Sequence, residues 1–269
     1  MRLWFVVLVL LALVAPGGPA AAASAPDALA AARRYYNLGQ YDQALAAAAP
    51  AVSNPATASA AHLVIGRIRL ERYRQSTDAQ ELDEARTNLR AVDPRPLDPR
   101  ERLELQVGLA ELLYFDERFG AAAELLAPVL ESTATLAPEA HDRAVEWWAM
   151  ALNRQAQGQP PAERGPVYQR LIDRMEQELR RDPTSAAAGY WLVAAARATG
   201  DLERAWSAAL AAWIRAGLSP DRATALRADL DKLVTEDLIP ERAGRTPARD
   251  RRQVIAAMTA DWEAFKKSW

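Results

Sequence analysis

Residues 190–220, YWLVAAARATGDLERAWSAALAAWIRAGLSP, carry the pattern that decides the fold. Large apolar residues recur there with a period near 3.6 residues, which is the spacing of one face of an α-helix. Gly200 interrupts the pattern midway, at a place where a left-handed residue lets a helix end and the chain turn. The stretch therefore predicts two helices joined by a short turn.

The same helical periodicity runs through the chain from Ala28 onward, and almost no stretch alternates with a period of two. We therefore expect an all-α fold without strands. Asp98, Pro99 and Glu101 form a predicted N-cap, first-turn proline and capping-box acid. The cap-then-proline pattern recurs at Ser219 with Pro220 and at Thr246 with Pro247. Predicted helix ends share a glycine in the left-handed conformation: Gly39, Gly158, Gly200 and Gly217.

A short motif recurs along the chain, with a large apolar residue three positions before an alanine. A facing alanine lets two helices approach closely, and the large residue fills the gap beside the turn. Each copy is predicted to open the second helix of a pair. The copies are Tyr41 with Ala44, Leu82 with Ala85, Phe119 with Ala122, and Leu202 with Ala205. Tyr168 with Leu171 is a poorer copy between the last two.

These residues resemble the tetratricopeptide repeat, in which an aromatic residue and an alanine open the second helix and a proline follows its end. Matching exits occur at Asn54 with Pro55, Asp93 with Pro94, and Asp182 with Pro183. Only the interval from Leu171 to Ala205 equals the family's period of about 34 residues. The resemblance implies a right-handed solenoid of about five divergent helical hairpins over residues 24–218.

The resemblance also implies a concave groove that binds a protein or peptide partner and is built mainly by the first helix of each pair. Trp148 and Tyr190 fit the groove and the core equally well. The family's clamp for a carboxylate-terminated peptide is not expected, because Leu29 and Arg33 stand where the first repeat would need lysine and asparagine. The predicted groove residues are Arg33, Tyr36, Arg67, Glu111, Tyr114, Trp148, Gln155, Tyr190 and Arg197.

Residues 219–269 depart from the repeat pattern. A helix over residues 223–238 and a charged loop over residues 240–245 are predicted, followed by a last helix. In that helix Trp262, Phe265 and Trp269 continue a stripe that begins with Val254 and Met258. We expect this segment to cap the exposed end of the array. The alternative is a detachable aromatic helix that binds a partner.

The first 23 residues have the pattern of a secretory signal peptide. Arg2 precedes an apolar run over residues 3–14, and Ala21 and Ala23 fit a cleavage site. As a helix the run would be only about 18 Å long, short of a hydrocarbon core of about 30 Å. We predict a cleaved, periplasmic or secreted protein without stable membrane insertion after processing. The alternative is an uncleaved anchor in the inner membrane.

Composition narrows the chemistry that is expected. The chain has 33 lysines and arginines against 35 aspartates and glutamates, so no overall field favours nucleic acid. It has no cysteine and only two histidines, His62 and His141, neither in a metal-binding spacing. Nucleophile and phosphate-loop motifs are absent. We therefore expect a non-catalytic scaffold without cofactor or metal. A cell-wall hydrolase or lytic enzyme that uses groove carboxylates is the alternative.

Overall fold

A computed structural model describes residues 24–136, 138–218, 223–247 and 250–269 of the chain. Within these ranges the regular elements are helices, and no strand is present, so the predicted all-α class is confirmed. The predicted signal peptide lies outside the described residues.

The first ten α-helices form five consecutive pairs, and the two helices of each pair pack against each other. Their bounds are α1 Ala25–Asn37, α2 Tyr41–Val52, α3 Ala58–Ser76, α4 Ala79–Arg90, α5 Pro99–Phe115, α6 Phe119–Leu136, α7 Pro138–Gln157, α8 Arg164–Arg181, α9 Ala186–Ala198 and α10 Leu202–Ala216. A short 3₁₀ turn, Pro161–Glu163, precedes α8.

The C-terminal part is also helical. A continuous run consists of α11 Ala223–Lys232, a π-helical segment Leu233–Leu238 and α12 Ile239–Arg245, and α13 Arg251–Ser268 follows. The predicted loop over residues 240–245 is wrong. Pro240 is the second residue of α12, where the π-helical segment passes into it, and the helical run continues through the proline.

The odd-numbered helices lie side by side in one layer, and the even-numbered helices pack on that layer. Each of α1, α3, α5, α7, α9 and α11 contacts the next member of this odd-numbered series, and every even-numbered helix from α2 to α10 packs between two of them. The alanines of the recurring motif lie at these packing sites. Ala44, Ala85, Ala122 and Ala205 have no exposed surface.

Helix ends agree only partly with the sequence signals. The capping box of Asp98 and Glu101 is formed at the start of α5. Thr246 does not cap α13, because Asp250 accepts the N–H groups of that helix's first turn. Ser219 and Pro220 lie outside the described residues.

The glycine signals were correct at two turns. Gly39 and Gly200 have φ of 70° and 83°, as predicted. Gly217 stays right-handed at −69°, and Gly158 is not left-handed either. Thr77 and Glu117 take the left-handed conformation after α3 and α5, at φ 56° and 57°.

Candidate functional site

A cavity of about 800 Å³ opens between the α1–α2 turn and α11, with the C-terminal end of α3 and the middle of α7 as its floor. It brings together residues that are far apart in the sequence. Its aromatic and apolar lining is Tyr36, Leu38, Tyr41, Trp147, Met150, Ala225 and Leu226, with Asn37 and Gly39 at the turn. Its charged lining is Glu71, Arg74, Arg143, Glu146 and Asp229.

The aromatic side of the cavity is ordered by ring and cation contacts. The rings of Tyr36 and Tyr41 lie 6.1 Å apart between centroids. The Arg74 guanidinium sits over Trp147, 5.5 Å from the ring centroid, and also pairs with Glu71 at 2.9 Å. Arg74 is thereby held on the floor by an aromatic face and a carboxylate together.

A buried ion pair lies beneath this floor. Arg67 of α3 and Glu111 of α5 approach to 2.9 Å, and both residues are buried. Burial raises the pKa of the Glu111 carboxyl, and the Arg67 guanidinium opposes the rise. Burial disfavours the charged form of Arg67, but Glu111 outweighs it and raises the pKa of that guanidinium. The pair links α3 to α5.

Tyr36 connects the cavity to this pair. Burial raises the pKa of its phenol; the carboxylates of Glu71 and Glu111 raise it further, and Arg67 lowers it. Tyr36 is the one predicted groove residue that lines the cavity. Arg67 and Glu111 support it from below and are closed to a partner.

Other predicted groove residues near the first three pairs are engaged within the fold. Arg33 forms an ion pair with Glu101, which links α1 to α5. Tyr114 packs edge-on against Trp147, with centroids 5.2 Å apart, and so supports the cavity floor. These residues brace the layer of odd-numbered helices.

Of the two positions that the sequence left open for Trp148, the structure shows the core. It is 3% exposed and lies in the core under the Arg170 guanidinium of α8, 5.6 Å from the ring centroid. Its neighbour Trp147 faces the cavity instead. One residue is a rotation of about 100° around a helix, so the two indoles serve different faces of α7. Gln155 lies farther along, against Gly120 at the start of α6.

Tyr190 and Arg197 of α9 contact the C-terminal helices. The Tyr190 ring packs edge-on against Trp191, 5.4 Å between centroids. Burial raises the pKa of the Tyr190 phenol, and the Asp229 and Asp237 carboxylates raise it further. Arg197 pairs with Glu241 at 2.7 Å, so it joins α9 to α12.

Sequence patterns did not predict that Trp147, Leu38 and the charged residues would line the cavity. The residue spacing does show that four residues of the cavity share one face of α7. They follow the i, i+3, i+4, i+7 pattern: Arg143, Glu146, Trp147 and Met150. Nothing in the sequence places that face opposite α11, because such a contact depends on how the whole array curves.

A second polar cluster is buried between α6, α7 and α8. His141 lies 2.9 Å from the Thr133 hydroxyl on one side and 2.9 Å from the Glu178 carboxylate on the other. Arg174 and Arg181 also pair with Glu178, at 2.6 and 2.8 Å. A hydroxyl, an imidazole and a carboxylate in this order also form the catalytic triad of enzymes with a serine or threonine nucleophile. Here Thr133 is 3% exposed and bonds a backbone carbonyl of its own helix, so the cluster is closed to substrate.

The contacts within this cluster change the pKa of Glu178. Burial would raise the pKa of the Glu178 carboxyl, but the His141 and Arg174 contacts outweigh burial and lower it. The other histidine, His62, lies 2.9 Å from the side-chain oxygen of Asn88. Both histidines are thus packed against neighbouring helices.

The C-terminal aromatic stripe is divided between core and solvent. Trp262 has no exposed surface, and its indole N–H donates to Asp231 of α11 at 2.6 Å. Phe265 stacks on Trp262, with centroids 5.9 Å apart. Trp269 is 66% exposed. Trp262 also packs against the rings of Trp206 and Trp213 of α10, so the centre of the stripe contacts α10 and α11 while its last aromatic lies in solvent.

Comparisons with known protein families, with curated proteins and with solved structures find no match to this chain. Among the described residues, no helix is both long and apolar enough to cross a membrane. The same part of the chain contains no cluster of three or more histidine or acidic side chains placed to hold a metal ion.

Proposed function

We propose that this chain is an exported helical-repeat scaffold that binds an extended protein segment in the cavity between α1, α3, α7 and α11. We further propose that its five helix pairs form a right-handed solenoid of the tetratricopeptide type. The layered contacts of odd-numbered helices and the buried motif alanines support this architecture. The export step rests on the signal-peptide pattern of residues 1–23.

One observation carries the binding role. The cavity joins five separate helices, α1, α2, α3, α7 and α11, and combines tyrosine, tryptophan and arginine side chains, the residue types most enriched in binding hot spots. Leu38 stands at its edge and is 64% exposed. An exposed apolar side chain beside an aromatic floor is what an extended segment needs in order to bury its own apolar residues.

The cavity also contains carboxylates, as the hydrolase alternative requires. Glu71, however, is held by Arg74 at 2.9 Å with its side chain only 12% exposed, and Glu146 also has a partner within the chain, so Asp229 is the one carboxylate of the described lining that has no partner there. A catalytic acid pair needs two carboxyl groups that both reach the scissile bond. The mixed aromatic and charged lining therefore supports binding better than hydrolysis.

The experiment compares two leucines of equal exposure. A photo-crosslinking amino acid replaces Leu38 at the cavity or Leu218 after α10, which is 63% exposed and does not line the cavity. After irradiation in the native cells, mass spectrometry maps the crosslinked peptides. We expect one defined partner segment at position 38 and none of that segment at position 218.

The matched substitutions Leu38→Asp and Leu218→Asp complete the test. Both side chains are exposed, so each change should alter stability by about 0.5 kcal/mol or less. For this comparison the photo-crosslinking amino acid replaces Met150 in the cavity. Only Leu38→Asp should then reduce the amount of crosslinked partner that is recovered. Equal crosslinking at both leucines, or equal loss with both substitutions, refutes the binding role of the cavity.

A further inference from the structure

The charged residues of the cavity are not equally available. Arg74 is held by Glu71 and Trp147, and Glu146 also has a partner within the chain. Arg143 of α7 and Asp229 of α11 are exposed, and neither forms an ion pair or a hydrogen bond within the described chain. Among the described lining residues, the cavity thus presents one cation on α7 and one anion on α11 that lack a charge partner.

Apolar surface accompanies each of these charges. On α7, Met150 follows Arg143 by seven residues, lies on the same helix face and is half-buried, whereas Trp147 is 5% exposed. On α11, Leu226 precedes Asp229 by three residues and also lines the cavity. A bound segment therefore meets a charge and an apolar surface on both walls.

We infer, on the basis of the proposed function, that the cavity selects an extended peptide segment in which a basic and an acidic side chain flank apolar residues. Asp229 pairs with the basic side chain, and Arg143 pairs with the acidic one. The apolar residues between them lie on Met150 and Leu226. A segment that carries two charges of the same sign meets one attractive and one repulsive wall, which lowers its affinity.

The probes are fluorescently labelled peptides measured by anisotropy with the purified full-length chain. One peptide has a lysine and a glutamate flanking leucines. A second has lysine at both ends, and a third has glutamate at both ends. We expect the mixed peptide to bind most tightly, by roughly two- to fivefold for each exposed charge pair that is matched.

Reversing the charge of either residue should change which peptide binds most tightly. Arg143→Glu makes both walls acidic, so the peptide with two lysines should become the preferred one. Asp229→Arg makes both walls basic, so the peptide with two glutamates should be preferred. The matched controls are Arg90→Glu and Asp261→Arg, at exposed positions outside the cavity. They change the net charge equally and should keep the preference of the unaltered chain.

The outcomes separate the two proposals. If the three peptides bind equally, and Leu38→Asp weakens all of them, the cavity binds peptides but the charge selection is refuted. If the controls shift the preference as much as the cavity variants do, overall charge explains it and the inference falls. If no peptide binds, both the selection and the peptide-binding role are overturned.

Discussion

The substitution Glu111→Gln tests whether the ion pair beneath the cavity is structural. Glutamine keeps the size of the side chain but removes the charge that faces Arg67 at 2.9 Å. The side chain of Arg67 is 9% exposed and that of Glu111 is fully buried, so water cannot replace the lost carboxylate. The variant leaves a buried guanidinium without its counter-charge.

The expected cost follows from this burial. Removing one partner of a buried pair typically destabilises a protein by about 3–5 kcal/mol, a large part of a total stability of about 5–15 kcal/mol. For a chain of this size that corresponds to a fall in Tm of roughly 6–20 °C. The double variant Arg67→Met with Glu111→Leu removes both charges and should recover most of the loss.

Urea and thermal unfolding followed by circular dichroism measure these differences. The control is Glu124→Gln, because Glu124 pairs with Arg170 on the surface and both side chains are largely exposed. Exposed pairs contribute only about 0–1 kcal/mol. If Glu111→Gln unfolds like the control, or if the double variant is no more stable than the single one, the argument from buried charge is wrong.

Three further predictions concern packing, pH and export. Gly66→Ala should cost about 1–3 kcal/mol in urea unfolding, because a Cβ there would lie 2.6 Å from Leu89 Cγ, whereas Gly165→Ala has open space and should stay within about 1 kcal/mol of the original. The lowered pKa of Glu178 means that its contribution to stability is present above the unfolded value of about 4.3 and is lost as pH falls through the folded value. The free energy of unfolding should therefore fall less on acidification below about pH 4.3 in Glu178→Gln, and parallel pH curves would contradict this. Intact-mass measurement of the periplasmic fraction should find a chain that lacks residues 1–23, and a full-length chain in the membrane fraction would contradict cleavage.

Local sequence signals predicted the helices well. The apolar period near 3.6 residues, the capping box at Asp98 and the alanines of the recurring motif all act within one or two turns of chain. Ala44 and Ala205, for example, are fully buried where their helices begin. Such features depend on the helical period and on short-range packing, and a single sequence contains both.

The site was harder to predict than the helices. Which face of each helix lines the cavity depends on how the whole array curves, and this is set by contacts between residues far apart in the sequence. Trp148 fitted the groove and the core equally well; the structure places it in the core and places its neighbour Trp147 against the cavity, a difference of one residue on α7. Arg67 and Glu111 have the residue types of an exposed groove. Their pairing across α3 and α5 buries both charges, and no spacing within either helix indicates it.

The C-terminal helix connects the end of the array to the cavity. Asp231 of α11 accepts the indole N–H of the buried Trp262 and also pairs with Lys266 at 2.7 Å. Asp229, two residues earlier, is about 200° away around the helix and lines the cavity. One side of α11 is therefore fixed by α13 while the other side forms a wall of the site. Loss of the Trp262 contact should for this reason disturb ligand binding as well as stability, although no residue of α13 lines the cavity.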